Sequence, residues 1–547
     1  MCPAAAERAG PSNSVWFTRE PKHAAGRTVV ATAFDEGIMP PAPRPRHGLI
    51  ASHVGHPARV SRDPPALADP PGMRHRTQLC SAAVVVVVVA VAASLPSPTH
   101  AQQQMWVGFH DDPVLRYGPN RQAELGLVRT SGATVVRTVV DWSVVAPTRP
   151  HRPADPFSAD YRFADLDELV RNAQLHGLEV LMTVWGSPRW ANGGRPPRYL
   201  PRKLSDFSTF ARALATRYSG RFGGYPFVRF FGIWNESNLG NFLSPQYDAR
   251  GRPVSPKLYA GLAAAGYAAI RSGSPHAQVA IGETSSHGRD RRKPGFTDTM
   301  APAMFARLVA QASPRLRFDA WAQHPYPVPV SQPPTQKVRY PNVALSTLPR
   351  FEHDLDRWFG RKGVRVWVTE YGTETKPGEP RGVTEPVQAR YLAQAATILR
   401  RDARVDLFIW FVFRDSHGST WQSGVYRKNG TAKPSRATWS ANARVVDEVN
   451  GRVAVRAGTK SPTIRVHTRE LCATVPVGGL VSVLAGTYAT GTLKQLSLAA
   501  GRLAVDCTVP VKLTGLRVAK GKAYRTSVDF NVGSILRVRR SLQVVGI

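Results

Sequence analysis

Cysteine is scarce in this chain: four residues in 547, at positions 2, 80, 472 and 507. No Cys/His spacing recommends a metal site, so a zinc-organised fold is not expected. Acidic residues are also few, with 38 Asp and Glu against 72 Lys and Arg and a formal charge of +34. The excess is mostly Arg and is spread along the chain. No segment has the compact basic run of a nucleic-acid arm, so nucleic acid is not an expected partner. A continuous apolar stretch of about 20 residues, the length a spanning helix needs, is missing as well.

The longest apolar run, Ala82 to Leu95, is instead placed for export. It follows the basic group Met73-Arg74-His75-Arg76 and precedes the small-residue site Thr99-His100-Ala101. That order of charge, short apolar segment and cleavage site reads as a secretory signal peptide over residues 73–101. Translation is then expected to start at Met73, with the secreted, mature chain beginning near Gln102. Residues 1–72, rich in Pro, Ala, Arg and Gly without helical or strand period, read as a disordered or spurious extension. With Cys2 and Cys80 in those segments, Cys472 and Cys507 are left as a candidate disulfide of an exported chain. An anionic glycan or cell wall is the natural acidic partner for so basic a secreted protein.

From Met105 onward, short β-rich apolar runs alternate with amphipathic helical patterns, the signature of a parallel sheet built from βα units. Strands are expected near 106–110, 133–140, 178–185, 227–235, 277–283, 317–323, 364–370 and 405–412. Eight such strands close a (β/α)8 barrel, which places residues 102–450 in one α/β domain of TIM-barrel class. Helices are expected near 165–176, 205–218, 256–271, 298–312, 349–359, 386–401 and 435–449, with Ser205 as a capping residue. Beyond Asn450 the pattern becomes short strands and Gly-rich turns, at 453–455, 463–466, 480–484, 503–505, 527–530 and 535–538. Residues 451–547 therefore read as a small all-β, Ig-like sandwich. It is basic enough to bind an anionic glycan, or it is a passive module packed on the barrel.

Two stretches carry the chemistry. Phe230-Phe231-Gly232-Ile233-Trp234-Asn235-Glu236-Ser237-Asn238 is an apolar strand that stops at an amide and a carboxyl. Val364-Arg365-Val366-Trp367-Val368-Thr369-Glu370-Tyr371-Gly372 has the same shape far downstream. A lone Glu at a strand end is commonly a solvated loop residue. Two of them, each ending a barrel strand, converge at the mouth and can act as acid and nucleophile on a glycosidic bond, about 5 Å apart for retention. Asn235, before the acid, can hold a sugar hydroxyl. Trp185 and Trp190 flank a tight loop after the third strand and are candidate walls for sugar rings. Glu283, ending the fifth strand, is expected to bond substrate, and Trp410 on the eighth is expected to floor the cleavage point. Trp421 lies in a long loop that could shape the cleft.

At these residues the chain resembles the clan A glycoside hydrolases, and within them families 39 and 5, over about residues 105–445. The resemblance implies that Glu236 is the acid/base, Glu370 the nucleophile and Asn235 the amide before the acid. It further implies that Arg137 supports the nucleophile, that His324 contacts the acid/base and that Tyr326 bonds the nucleophile. Ser237 stands where the family usually has Pro, and Trp185-Gly186-Ser187 replaces the His of family 5. The implied activity is that of a secreted, cellulase-like retaining glycoside hydrolase on a β-linked polysaccharide or oligosaccharide, with no cofactor and no metal. The rival readings are a non-catalytic polysaccharide-binding protein and a surface adhesion protein on the same scaffold.

Overall fold

The computed structural model describes residues 105–416, 421–443, 452–468, 471, 475–489, 492–504, 508–532 and 536–546. The expected extension, the signal peptide, Cys472, Cys507 and the domain boundary near 450 lie outside the described residues.

Eight strands form a closed, all-parallel barrel in chain order. They are β1 Trp106–His110, β2 Val135–Asp141, β3 Glu179–Trp185, β4 Phe230–Ile233, β5 Gln278–Ser285, β6 Ala320–His324, β7 Arg365–Tyr371 and β8 Val405–Phe411. Pairing of β1 with β8, Phe109 opposite Trp410 and His110 opposite Phe411, closes the ring. Near-continuous apolar strands suit this place, because both faces are covered: side chains fill the barrel inside and helices pack outside. Val135, Leu181, Phe230, Ala280, Ala320, Ala322, Trp367, Leu407 and Ile409 form the inner core. The alternate positions, such as Val136, Val180, Phe231, Val368 and Phe408, join the larger core under the helices.

The helices Ala164–Leu175, Leu204–Arg217, Ser255–Gly273, Pro302–Ala312, Leu348–Phe359, Glu385–Arg401 and Pro434–Asn442 stand close to their expected places. Two details differ. A helix at Arg121–Thr130, absent from the expectation, fills the gap between β1 and β2; its buried residues are only Leu125 and Val128, too few for a clear period. Ser205 does not cap its helix, which starts at Leu204 after an extended Lys203. No described helix is long and apolar enough to cross a membrane.

The C-terminal strands are β9 Arg452–Val455, β10 Thr463–His467, β11 Leu480–Ala489, β12 Thr492–Arg502, β13 Thr508–Lys512, β14 Ala523–Val532 and β15 Leu536–Gly546. A five-stranded sheet, β12-β11-β14-β15-β9, faces the pair β10-β13. One core, including Ile464, Val466, Val483, Val509, Val528 and Phe530, is shared between them, which makes this a two-sheet sandwich, Ig-like in class. Of the strand expected at 503–505, residues 503 and 504 lie beyond β12, which ends at Arg502, and residue 505 lies outside the described residues.

Candidate active site

The C-terminal ends of the strands open onto one buried polar layer. Alternation along a strand sets its members, since the residue two beyond an inner-core side chain faces the same way. Val135 is thus followed by Arg137, Leu181 by Thr183, Trp367 by Thr369 and Ala322 by His324. Glu236 and Glu283 need more than alternation. Their backbones, with Trp234, are at φ 39°, 45° and 70°, a left-handed region that costs a non-glycine residue on the order of 1 kcal/mol. Surrounding bonds hold these turns in place. The Tyr259 hydroxyl donates to Ile233 O at 2.8 Å and accepts Gly282 N–H at 2.6 Å, and Ser237 donates to Gly282 O at 3.0 Å. Asn238 accepts Ser285 N–H at 2.8 Å and donates to Met300 O at 2.8 Å. Gly232 completes the fit, because a Cβ there would stand 2.2 Å from Glu283 Oε1.

Arg137 is the hub. Its guanidinium donates to Glu370 Oε1 at 2.5 Å, Asn235 Oδ1 at 2.9 Å, Glu283 Oε2 at 3.3 Å and Thr183 Oγ1 at 3.0 Å. His110 Nδ1 lies 2.9 Å from the same guanidinium and accepts from it. Opposite stands His324, with Nδ1 3.2 Å from Glu236 Oε1 and 3.6 Å from Glu370 Oε2, and Nε2 3.2 Å from Glu283 Oε2. One oxygen of Glu236, one of Glu370 and a nitrogen of His324 all lie within 4.8 Å of one another. The Tyr326 hydroxyl reaches Glu370 Oε2 at 3.5 Å.

Buried charge must be paired, and here the pairing decides which carboxyl keeps a proton. Burial pushes His324 down, but the charge of Glu370 and the bonds to Glu236 and Glu283 outweigh it and raise the imidazole to about 9. Burial would raise Glu370 too, yet attraction from His324 and Arg137 holds it below the ordinary carboxylate value. Glu283 is likewise held low against burial, by Arg137 and then His324. Two cations thus match two carboxylates. Glu236 is left with burial dominant, reinforced by the charge of Glu370, and its carboxyl is raised despite the His324 contact. Of the three carboxyls, Glu236 is thus the one whose environment favours the protonated form, beside Glu370 and Glu283, whose environments favour the ionised form.

Glu236, Glu370, Asn235, Arg137, His324 and Tyr326 are thus brought together. Trp185 sits above them, half-buried, on the inward parity of β3, with its indole N–H donated to Phe242 O at 3.2 Å. Two expectations do not fit the placement. Glu283 is 0% exposed and both its oxygens are taken, by Thr369 at 2.7 Å and Thr183 at 3.2 Å besides the two cations. It lies beneath the site as the counter-charge of Arg137 and His324 and has no oxygen left for substrate. Trp410 is also fully buried, packed 6.1 Å from the Tyr371 ring with its N–H donated to Ser423 O at 2.9 Å, on the outer face of β8. Its neighbour Phe411 carries the inward parity instead, 5.1 Å from the His110 ring and 5.9 Å from Trp421. Leu407 and Ile409 both face inward, so alternation alone points to Phe411. His110, ending β1 beside Arg137, is a site residue that strand-end reasoning reaches but residue type does not single out.

The cluster Glu236, His324 and Glu370 has a spacing a cation could use. Both His324 nitrogens are already engaged by carboxylates and the ring is held protonated, so it has no lone pair for a metal.

None among the curated proteins matches the sequence. Among solved structures the chain is similar to a family 39 glycoside hydrolase of Bacteroides cellulosilyticus WH2, at 18% identity and TM-score 0.46, covering 75% of this chain and 81% of that one. It is similar also to the GH5_18 protein of Streptomyces cattleya, at 15% identity and TM-score 0.45, covering 64% and 85%. The endo-β-1,4-mannanase of Thermotoga petrophila matches at 11% identity and TM-score 0.40, covering 81% and 99%. The family model described as cellulase, glycosyl hydrolase family 5, matches residues 100–412. The chain belongs to that family, and so to the clan A glycoside hydrolases.

Proposed function

We propose that this protein hydrolyses a β-linked polysaccharide or oligosaccharide with retention of configuration, by double displacement. The observation that carries the reading is the approach of Glu236 and Glu370 oxygens to within 4.8 Å, inside the spacing that leaves no room for a water between them. Glu370, ionised and steadied by Arg137, attacks the anomeric carbon as the glycosidic C–O bond breaks. The proton of Glu236 passes to the departing oxygen. Glu236 then takes a proton from water, whose oxygen bonds the anomeric carbon and frees Glu370. Asn235 is held at the cleavage point for a sugar hydroxyl, over Phe411, with Trp185 as a wall. The export signal at 73–101 supports action outside the cell, and the basic sandwich supports retention on an anionic wall.

A 2-fluoro-glycoside with a good leaving group tests the mechanism. Digestion and mass analysis should find the sugar on the peptide containing Glu370, and no label in Glu370→Ala. Label on Glu236, or inverted product by NMR, rejects the assignment. Retention of the secreted protein on a wall preparation, compared with a chain ending at Asn450, tests the sandwich.

A further inference from the structure

The rim of the barrel mouth is unevenly charged. The loop after β3, residues 186–203, carries Arg189, Arg195, Arg198, Arg202 and Lys203 and no acidic residue; all five are exposed. The loop after β5 adds exposed Arg291, Arg292 and Lys293 within a few residues. Pairing consumes little of this charge: in the loops after β4 and β5, Asp248 takes Arg252 and Asp298 takes Arg292. The five cations of the β3 loop, Arg291 and Lys293 have no acidic partner within ion-pair distance among the described residues.

The three loops are one body. Tyr199 bridges Ser244, joining the β3 and β4 loops, and Leu239 bridges Thr299, joining the β4 and β5 loops. Ser244 N–H donates to Arg198 O at 3.0 Å, and the Tyr247 hydroxyl donates to Thr299 O at 3.1 Å. Asn238, two residues beyond Glu236, is bonded to His287 O and Met300 O at the two ends of the β5 loop. Like charges gathered on a scaffold tied to the acid/base raise the local positive potential there and attract an anion to it.

We propose that the loops after β3, β4 and β5 form a basic rim that recruits a polyanionic glycan, bearing carboxylate, sulfate or phosphate groups, to the Glu236 side of the cleft. The proposal names the substrate class of the glycosidase reading and rests on it. Affinity electrophoresis of the secreted protein tests it, in gels of polygalacturonate, dextran sulfate and neutral hydroxyethylcellulose. The wild type should be retarded by a polyanion more than by the neutral polymer, and the carboxylate and sulfate gels separate the two sources of charge. Retardation should weaken about tenfold as NaCl rises from about 20 to about 300 mM, because exposed charges are screened over that range. R195E/R198E and R291E/K293E should each reduce it by about tenfold at low salt. Equal retardation of wild type and both variants would put polyanion binding elsewhere and overturn the proposal. Hydrolysis of an aryl β-glycoside without any polyanion retardation rejects the rim alone. Rim-dependent retardation in a protein that cleaves no glycoside rejects the glycosidase reading instead.

Discussion

Two layers of the same barrel, one residue pair apart along the same strands, have opposite chemistry. The lower layer is Val135, Leu181, Phe230, Trp367 and Leu407, and the upper is Arg137, Thr183, Thr369, His324 and the three glutamates around them. Both are buried and both point inward. The lower layer is held by removal of apolar surface from water, which tolerates changes of shape better than loss of volume. The upper layer is held by pairing, where each charge is stabilised only by the others. The comparison teaches that one closed sheet separates stability from chemistry by a shift of two residues.

The sharpest break in that contrast is Glu370→Ala, expected to lower kcat on the order of 10^5-fold and to lower the urea midpoint as well, because Arg137 and His324 lose a buried counter-charge. Next comes Arg137→Met, which leaves Glu370 and Glu283 without their shared cation. It should cost about 3–5 kcal/mol of stability and abolish turnover together, read by urea unfolding and activity. Phe230→Ala, in the lower layer, should cost a similar 3–5 kcal/mol and leave kcat per folded molecule within a few-fold of wild type. If Phe230→Ala and Arg137→Met had the same kinetic effect, the separation of layers would be wrong.

Acidity sharpens the same comparison. Glu370 and Glu283 are held low, so their stabilisation is present above the ordinary carboxylate value and is lost as pH falls through their folded values. His324 is raised to about 9, so its contribution is complete below about 6.5 and is lost as pH rises through about 9. The urea midpoint should therefore decline between those two pH values, and His324→Asn should flatten that decline. Activity should follow a bell, its acid limb from ionisation of Glu370 and its basic limb from loss of the Glu236 proton. Glu236→Gln should remove the basic limb from whatever activity is left.

The smallest effects separate the neighbours Trp410 and Phe411. Phe411→Ala should raise KM severalfold and, because the ring is buried, lower the urea midpoint too, whereas Trp410→Phe loses a buried hydrogen bond and should cost about 1 kcal/mol with KM unchanged. The reverse pattern would restore Trp410 to the floor of the site.

Much of this was legible beforehand, for physical reasons that differ by residue. Apolar runs that end in a carboxyl mark Glu236 and Glu370 because only a strand end changes so abruptly from core to solvent. His324 and Tyr326, two apart after β6, were legible through family resemblance. Glu283 was misjudged because a carboxyl at a strand end looks the same in sequence whether it faces substrate or lies under it. Its positive φ and the bare Gly232 beside it turn it into the barrel. In the run Leu407 to Phe413, residue type favours the Trp, but the pleat selects Phe411.

What the sequence alone determined is the period: alternation of apolar runs and helical faces, eight times, calls for a parallel sheet covered on both faces, and eight strands are the number that closes one into a barrel. It also determined which residue types stand at the strand ends. Only the tertiary structure decided which of three glutamates keeps a proton. That depends on two cations, Arg137 and His324, supplied by β2 and β6, and on distances of a few ångströms between residues as far apart in the chain as Arg137 and Glu370, 233 positions.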